Sequence, residues 1–445
     1  MCKNAMYALH GLVYLVPKLC LGTHCPNAPR SLGCRKKSPR ESFFRMQSIP
    51  TVRSQTELGI RDRLSRPITT IRRTIFDYNG RMIDIFPMTV VFNFAMLPVV
   101  IAAIRLMNRR RGFLGWCAAV ILAGAAAGLL GLTLAVLFER PAGVIRFLSY
   151  AIFLHGTIIL AATAVIYRKK RLAALAALAG VMLLSLTAVR AFLLEPHWLE
   201  VNRYRIVAPK ITRPLRIVVI ADPQIDKIGH YEREVLRLAM AEKPDLLLFA
   251  GDYIQAFRED QQRLCREFNE LLREMDIQTP LGAFAVRGNV DPLQWMEIFQ
   301  DAGVRAVGET RSFDLGEVQL TCLGLRDSYR TSPVRYPPTG GRFHILLGHV
   351  PNFALGNGDA DLIVAGHTHG GQLQLPWLGP VVTNSRLPRK LAHGFNVLPG
   401  GGKMIVSRGI GMERGYAPRF RFLCRPELVV VELVPGEEGA TDERK

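Results

Sequence analysis

Hydrophobic positions divide this chain into two regions with different patterns. Between residues 83 and 194, apolar residues form four long runs, at about 86–106, 113–138, 144–167 and 172–194. Each run approaches or exceeds the ~20 residues that an α-helix needs to cross a bilayer. Four such runs in series are not typical of the buried helices of a soluble protein. The sequence therefore predicts a four-helix transmembrane region over 83–194.

Beyond residue 215 the apolar runs become short and alternate with amphipathic segments. The pattern predicts helices at Tyr231–Lys243 and Gln261–Met275. Strands are predicted at 215–220, 246–250, 283–287, 318–324, 343–347, 361–365, 404–407 and 427–433. Alternation of strands and helices favours a layered α/β domain over 215–435. Residues 195–214 then form a connector.

The two ends of the chain lack this periodicity. Residues 1–82 mix Arg, Ser, Pro and Gly, and we interpret them as a basic, disordered tail. Residues 436–445 form a second, polar tail.

The formal net charge is +20, but the basic excess is not spread evenly. Residues 211–445 carry 28 basic and 29 acidic residues, so the excess lies in the tail and beside the apolar runs. This distribution argues against nucleic acid as a partner and for a lipid bilayer.

The basic residues also predict an orientation in the membrane. The short loops at 109–111 and 168–171 are the most basic, and the positive-inside rule places them in the cytoplasm. The α/β domain of this multi-pass protein is then extracytoplasmic at the plasma (inner) membrane, although the basic tail favours the opposite orientation.

Polar side chains follow five of the predicted strands. These side chains belong to Asp222, Asp252, Asn289, His349 and the pair His367 and His369 in the stretch DLIVAGHTHGGQ. In α/β sheets, sites form at the carboxyl ends of strands. Two carboxylates, an amide and three imidazoles suit divalent ions of the Mn, Fe or Zn class. One carboxylate can bridge two ions ~3.5–4 Å apart, the arrangement used in phosphate-ester hydrolysis.

The order of these motifs, Asp, then GD, GN, GH and GHTH, resembles the calcineurin-like metallophosphoesterase superfamily. The resemblance covers roughly 211–435 and is closest to the membrane-attached bacterial branch that carries GHTHGGQ. It implies a four-layer, two-sheet sandwich and two metal ions with a bridging hydroxide as nucleophile. By motif, one ion would take Asp222, Asp252 and His369. The other would take Asp252, Asn289, His349 and His367.

Two positions depart from the usual family motifs. Gln224 stands where an imidazole ligand is common, and it would be a weaker ligand. Val290 stands where the family usually has a catalytic His, so the resemblance leaves the catalytic residue unassigned. Either the leaving group is a weak base, such as a nucleotide phosphate, or another donor serves; His230, Arg287 and Arg408 are the candidates. Relatives that hydrolyse UDP-diacylglucosamine also lack this His, which favours a pyrophosphate substrate.

The resemblance thus implies a membrane-bound phosphohydrolase that acts on a phosphorylated small molecule or a lipid-linked substrate. The alternative is a catalytically weakened binding or sensing module, because both departures remove imidazoles. Three further features stay open or are assigned structural roles. Asp291 is expected to cap a turn. Trp377 is expected to pack, with a place in the lining of a substrate cleft as the alternative. The basic stretch from Arg414 to Arg425 suits either anionic headgroups or a solvated surface.

Overall fold

The computed structural model describes residues 86–137, 143–333, 340–358, 360–415, 417–436 and 443–444. The predicted tail at 1–82 and most of the polar tail at 436–445 lie outside these residues. The described helices begin with four long ones: α1 (Phe86–Arg109), α2 (Phe113–Leu137), α3 (Gly143–Ile166) and α4 (Arg171–His197). Three shorter ones follow: α5 (His230–Ala241), α6 (Arg258–Glu274) and α7 (Leu325–Ser328).

Fifteen strands are described after these long helices. The first eight are β1 (Glu200–Val207), β2 (Leu215–Ile220), β3 (Leu246–Phe249), β4 (Ala283–Val286), β5 (Val304–Val307), β6 (Arg311–Leu315), β7 (Val318–Cys322) and β8 (Phe343–Leu347). The others are β9 (Leu362–Ala365), β10 (Gln374–Leu375), β11 (Gly379–Pro380), β12 (Gly394–Val397), β13 (Lys403–Val406), β14 (Glu427–Val434) and β15 (Glu443–Arg444).

The strands form two large sheets and one small hairpin. One sheet has the order β15-β1-β14-β2-β3-β4-β5, in which β2 to β5 run parallel. The other has the order β12-β13-β9-β8-β7-β6, in which β13, β9, β8 and β7 run parallel. The hairpin pairs β10 with β11. The parallel strands of each sheet therefore end at a common edge, where a site can form.

The two sheets pack face to face through a core of aliphatic and aromatic side chains. Val219 and Leu248 of one sheet and Ile345 and Val364 of the other belong to this cluster. The outer face of the seven-stranded sheet is covered by α5 and α6, which contribute residues such as Phe268. Short helical turns cover the outer face of the six-stranded sheet. The predicted four-layer, two-sheet sandwich is confirmed.

The four N-terminal helices are each long and apolar enough to cross a membrane. They expose large side chains, such as Leu129 and Leu172, along their outer surfaces. Tyr167 donates a hydrogen bond of 3.1 Å to the carbonyl oxygen of Gly112, so the α1–α2 and α3–α4 loops lie on the same side. The four apolar helices that precede the α/β domain are confirmed as candidate membrane spans.

The basic segment before β14 joins the long helices to the sandwich. Arg146, near the start of α3, donates hydrogen bonds to the carbonyl oxygens of Gly415 and Ala417, at 3.0 and 2.8 Å. The backbone N–H of Arg421 donates to the carbonyl oxygen of Ala191, at 3.0 Å. The rings of Phe192 and Phe420 lie 5.1 Å apart. The sandwich therefore lies at the end of the bundle opposite the two basic loops.

The predicted bounds of the α/β domain were wrong at both ends. In the predicted polar tail, Glu443–Arg444 form β15, which pairs with β1 in the seven-stranded sheet. The connector at 195–214 contains β1, which pairs along its whole length with β14 and belongs to the seven-stranded sheet. From Val201 to Ile206 its side chains alternate between half-buried and buried, which is the pattern of a strand with one face packed on the core. The arginines Arg203 and Arg205 obscured that pattern because their side chains reach the surface. The boundary at 215 falls inside the sheet.

Candidate metal centre

The predicted site residues gather where strands of both sheets end. Asp222, Asp252 and Asn289 follow β2, β3 and β4 of the seven-stranded sheet, whereas His349 and His367 follow β8 and β9 of the other. His369 lies in the short helical turn His369–Gly371. The parallel strands thus deliver side chains from both sheets to one region between them.

The backbone at these strand ends adopts the left-handed region, which non-glycine residues seldom occupy. The φ angles are 51° at Asp222, 43° at Gln224, 58° at Asp252, 73° at His367 and 50° at His369. Such conformations cost of order 1–3 kcal/mol each and persist where the surrounding structure enforces them. The strain turns each side chain sharply off its strand and into the centre.

Glycines allow the loops after β3 and β4 to approach each other. A Cβ atom on Gly288 would lie 2.0 Å from the backbone nitrogen of Asp252 and 2.1 Å from its Oδ1. A Cβ atom on Gly251, where φ is +90°, would lie 2.7 Å from Nδ1 of His349. The motifs GD and GN therefore need glycine for close packing of the site backbone.

The tightest cluster consists of Asp252, His349 and His367. Each offers one ligand atom, and these atoms all lie within 4.8 Å of one another. Nε2 of His349 lies 3.3 Å from Oδ2 of Asp252 and 3.3 Å from Nδ1 of His367. The side-chain oxygen of Asn289 lies 2.9 Å from the same Nε2 atom. Four donor atoms thus converge on one point.

Backbone groups hold the outer side of this cluster. The carbonyl oxygen of Ala250 lies 2.7 Å from Nδ1 of His349, and that of Asn384 lies 3.1 Å from Nε2 of His367. Each carbonyl accepts a hydrogen bond from its ring, so the other nitrogen faces the centre. The backbone N–H of Val290 donates to Oδ1 of Asp252, at 2.9 Å. The side chain of Val290 is buried and has no donor.

Asp222 lies beside this cluster and is fully buried. Both of its carboxylate oxygens accept from the backbone N–H of His367, at 2.9 Å. One of them lies 3.8 Å from Nδ1 of His349. The carboxylate therefore connects the loop after β2 to the loop after β9.

Gln224 and His369 each bury a polar atom that lacks a partner. Oε1 of Gln224 and Nε2 of His369 are inaccessible to solvent and form no hydrogen bond within the described residues. An unsatisfied buried polar atom costs about 1–3 kcal/mol. The amide oxygen is a lone-pair donor that divalent ions accept, and so is Nε2 of His369 in the tautomer that carries its proton on Nδ1. The chemistry and burial of the centre thus fit metal ions as the missing partners.

The electrostatics of the centre favour metal ligation by His367 and His369. Burial, together with the charge of His349, lowers the pKa of His367 to about 4. Burial and the charge of Arg421 lower the pKa of His369 well below its usual value. Both rings are therefore neutral at pH 7, and a neutral imidazole is the form that binds a metal.

The carboxylates differ from each other because their neighbours differ. Burial raises the pKa of Asp222 to about 8. Burial also acts to raise the pKa of Asp252, but the charge and hydrogen bond of His349 outweigh it and lower that pKa to about 2. Burial acts to lower the pKa of His349, but Asp252 raises it to about 9. Asp252 and His349 thus form an ion pair, while burial disfavours the charged form of Asp222.

Asp291 braces the loops instead of offering a free carboxylate. One of its oxygens accepts from the N–H groups of Tyr253 and Ile254, and the other accepts from Gly288 at 2.7 Å and Asp252 at 3.1 Å. Burial, followed by the charge of Asp252, raises its pKa to about 7. The expectation of a structural role for Asp291 is confirmed.

Two charged residues lie beside the centre although the spacing of the motifs did not predict them there. Glu413 is hydrogen-bonded to Gln255 at 2.7 Å and to the amide of Gln224 at 3.4 Å. A side-chain nitrogen of Arg421 lies 3.5 Å from Nδ1 of His369, and the side chain is fully buried. Glu413 directly precedes the basic stretch from Arg414 to Arg425, and Arg421 belongs to it. This stretch joins the sandwich to the long helices. Their proximity to the site depends on tertiary packing alone.

The three candidate proton donors lie in different environments. His230 is exposed at the start of α5. Arg408 is held by Glu200 at 2.8 Å and Glu427 at 3.3 Å. Arg287 donates to the carbonyl oxygen of Asp291, at 3.3 Å, and its buried Nε has no partner within the described residues. Arg287, which directly precedes Gly288 and Asn289, is the one with an unused buried donor.

Comparisons with known proteins identify the family. The family model for calcineurin-like phosphoesterases matches residues 215–371. The metallophosphoesterase YkuE of Bacillus subtilis (strain 168) is 30% identical over 259 residues, which cover 54% of this chain and 87% of YkuE. The chain belongs to the calcineurin-like phosphoesterase family.

Two further relatives in this family carry more specific names. The phosphodiesterase YaeI of Escherichia coli (strain K12) is 28% identical over 260 residues, 54% of this chain and 90% of YaeI. The UDP-2,3-diacylglucosamine pyrophosphatase LpxG of Chlamydia muridarum (strain MoPn / Nigg) is 25% identical over 318 residues, 56% of this chain and 93% of LpxG. Family membership supports a hydrolase that uses divalent metal ions.

Proposed function

We propose that this chain is a membrane-bound, metal-dependent phosphohydrolase that cleaves a phosphoester or a pyrophosphate. Two buried atoms without a partner among the described residues carry the proposal: Oε1 of Gln224 and Nε2 of His369. They lie beside the convergent donors of Asp252, His349 and His367. Burial of such atoms without a partner is costly, and a bound cation would satisfy both of them.

The ligand assignment follows the two groups of side chains in the centre. One divalent ion would take Asp222, Asp252 and His369, with Gln224 as a weak fourth ligand. A second would take Asp252, Asn289, His349 and His367. Ions of the Mn, Fe or Zn class suit this mixture of oxygen and nitrogen donors. When bound, such ions lower the pKa of water and neutralise charge on a phosphoryl group.

The chain itself would fix the orientation of the ligands. The carbonyl oxygen of Ala250 directs Nε2 of His349 towards the centre, and that of Asn384 directs Nδ1 of His367. The N–H of Val290 orients the carboxylate of Asp252. Because these partners are backbone groups on strained loops, the side chains need little reorganisation during binding.

The absence of an imidazole at Val290 favours a substrate whose leaving group needs no proton. A phosphate of a nucleotide is such a group, since it is a weak base at neutral pH. The name of the relative LpxG, a UDP-2,3-diacylglucosamine pyrophosphatase, describes a substrate with that leaving group and with acyl chains. We therefore favour a pyrophosphate attached to a lipid, reached from the bilayer surface.

Turnover and metal content test this function together. The full-length chain in lipid nanodiscs, loaded with Mn²⁺ or Zn²⁺, would be assayed with bis-p-nitrophenyl phosphate, p-nitrophenyl phosphate and UDP-2,3-diacylglucosamine. We expect turnover of at least one substrate and about two metal ions per chain by elemental analysis. The variant Asp252→Asn should lose both. A chain that binds no metal and turns over none of the substrates would refute the proposal.

A second function, a binding or sensing module, is favoured by Gln224 and Val290. Both replace side chains that would bind metal or donate a proton with weaker or inert ones. Under this alternative, the chain would bind one metal ion and a nucleotide without cleaving it. Equilibrium dialysis with labelled nucleotide, next to the turnover assay, distinguishes the two functions.

The orientation of the sandwich is the last part of the proposal. It lies at the end of the bundle opposite the loops at 109–111 and 168–171, whose basic residues favour the cytoplasm. The centre would then face the extracytoplasmic side of the plasma membrane. Accessibility of a cysteine placed at the exposed Leu293 to an impermeant maleimide in intact cells tests this side. Labelling only after lysis would place the domain in the cytoplasm.

A further inference from the structure

The hairpin formed by β10 and β11 carries an exposed apolar tip. Trp377 is fully exposed, and Leu375 and Leu378 next to it are 40% and 54% exposed. The expectation that Trp377 packs inside the domain was wrong. Its backbone is left-handed, with φ of 64°, which turns the indole away from the two strands. An exposed cluster of Trp and Leu at a turn is unusual on a surface that meets only water.

The base of this hairpin pairs with the segment that contacts the long helices. Gln374 donates from its backbone to the carbonyl oxygen of Phe422, at 3.0 Å, and Leu373 forms a parallel bridge with the same residue. Two residues away, Phe420 packs on Phe192 of α4. The hairpin is therefore attached directly to the part of the sandwich that lies against the candidate membrane spans.

The same loop also forms part of the metal centre. A Cβ atom on Gly371, in the turn that also contains His369, would lie 2.7 Å from Cβ of Pro380 in β11. Asn384, a few residues after β11, accepts from His367 at 3.1 Å. In the sequence, the hairpin thus lies between His369 of the centre and Asn384, the partner of His367.

Basic side chains follow the hairpin at the surface. Arg386, Arg389 and Lys390 are exposed, and the described part of the chain contains no acidic group within ion-pair distance of them. The turn Arg389–Leu391 packs on β11, so these charges lie beside the apolar hairpin. An apolar tip flanked by Lys and Arg matches an anionic bilayer surface, where Trp prefers the headgroup level.

We propose that Leu375, Trp377 and Leu378 insert into the headgroup region of the bilayer, with Arg386, Arg389 and Lys390 on anionic lipid headgroups. The hairpin then provides an apolar surface along which an acylated substrate leaves the bilayer and reaches the centre. The membrane contact stands on the hairpin alone, whereas the delivery of substrate rests on the proposed hydrolase function.

Fluorescence quenching tests the insertion. The full-length chain has four tryptophans, so the difference between wild type and Trp377→Phe in nanodiscs isolates the emission of Trp377. We expect lipids brominated in their acyl chains to quench this difference about twofold or more, and iodide in solution to quench it weakly. Full quenching by iodide with none by bromolipid would overturn the proposal.

Turnover tests the delivery. In nanodiscs, the double variant Trp377→Ser, Leu378→Ser should lower kcat/KM for UDP-2,3-diacylglucosamine about tenfold, since it removes two apolar anchors. Turnover of bis-p-nitrophenyl phosphate, which is soluble in water, should be unchanged. Val397→Ser, at an exposed apolar site on the β12–β13 hairpin, is the matched control and should change neither rate.

The turnover assay separates the delivery of substrate by the hairpin from the hydrolase function itself. An equal loss on both substrates, or no loss on the acylated one, would overturn delivery by the hairpin. A wild-type chain that turns over neither substrate would refute the hydrolase function instead, and the fluorescence result would still decide whether the hairpin contacts the bilayer.

Discussion

Nε2 of His349 lies 3.3 Å from a carboxylate oxygen of Asp252, although the two residues follow strands of different sheets. The seven-stranded sheet supplies both carboxylates and the amide, and the six-stranded sheet supplies the imidazoles. A cation in the centre would therefore join the two sheets at their common edge. Binding of metal would stabilise the sandwich as well as support chemistry.

Removal of metal should consequently lower the melting temperature. A ligand present at a hundred times its Kd stabilises the native state by ~2.7 kcal/mol, and 1 kcal/mol is worth ~2–4 °C in a domain of this size. We expect EDTA to lower the Tm of the metal-loaded chain in nanodiscs by about 5–10 °C. Differential scanning fluorimetry would measure it. Asp252→Asn, which keeps an oxygen for the N–H of Val290, should show no shift; an equal shift there would contradict the assignment.

Asp291→Ala should destabilise the sandwich without a direct role in chemistry. Removal of its carboxylate leaves the N–H groups of Tyr253, Gly288 and Asp252 without their acceptor in a buried loop. At ~1–3 kcal/mol for each unsatisfied group, partly relieved by relaxation, we expect a loss of about 3–5 kcal/mol, read as a lower Tm. Asp314→Ala, at an exposed carboxylate, is the control and should cost less than about 1 kcal/mol. Similar melting of both variants would rule out the bracing role.

Gly288→Ala should abolish metal binding. The new methyl group would overlap the backbone nitrogen and Oδ1 of Asp252, so the loops after β3 and β4 must separate. We expect elemental analysis to find less than a tenth of the wild-type metal, because displacement of a bridging ligand affects both proposed ions. Gly124→Ala, in α2 with open space around the glycine, should retain full metal content. A Gly288→Ala chain with normal metal content would mean that the loops need not approach so closely.

The sequence predicted the parallel strands and their terminal residues because each strand is a run of apolar residues that ends in a glycine motif. The proximity of Asp252 and His349 could be predicted because both residues follow parallel strands, whose carboxyl ends form sites. The strands β1 and β6 were missed, since their charged residues, such as Arg203 and Arg311, interrupt the apolar run. The pattern of apolar residues along the chain therefore does not reveal an edge strand or a strand with one solvated face.

The braces around the centre could not be predicted for a different reason. Arg421 was one of several basic residues in a segment with no periodicity, and nothing local distinguishes it from Arg419. In the structure Arg421 is fully buried, whereas Arg419 pairs with Asp226 at the surface. Which arginine is buried depends on the register of the segment between the long helices and the turn at His369, and that register is a tertiary property.

Arg421→Lys should therefore damage the centre although it preserves the charge. The guanidinium donates from Nε to the carbonyl oxygen of Gly411 at 2.9 Å and from its terminal nitrogens to those of Cys424 at 3.0 Å and Arg408 at 2.8 Å. A lysine ammonium cannot span these acceptors, since it lacks the planar fork of donors. With at least two buried carbonyl groups left unpaired, we expect a loss of about 2–4 kcal/mol in stability.

The same substitution should also reduce metal affinity, because Arg421 lies 3.5 Å from Nδ1 of His369 and its bonds to the backbone position the turn that carries this ring. Titration with Mn²⁺ should give a Kd raised about 10–100-fold, the range found when the support of a ligand is lost. Arg419→Lys, at a half-exposed surface pair, is the matched control and should leave both the Tm and the Kd unchanged. A variant at Arg421 with lowered stability and unchanged Kd would show that the arginine supports the segment and not the ligand.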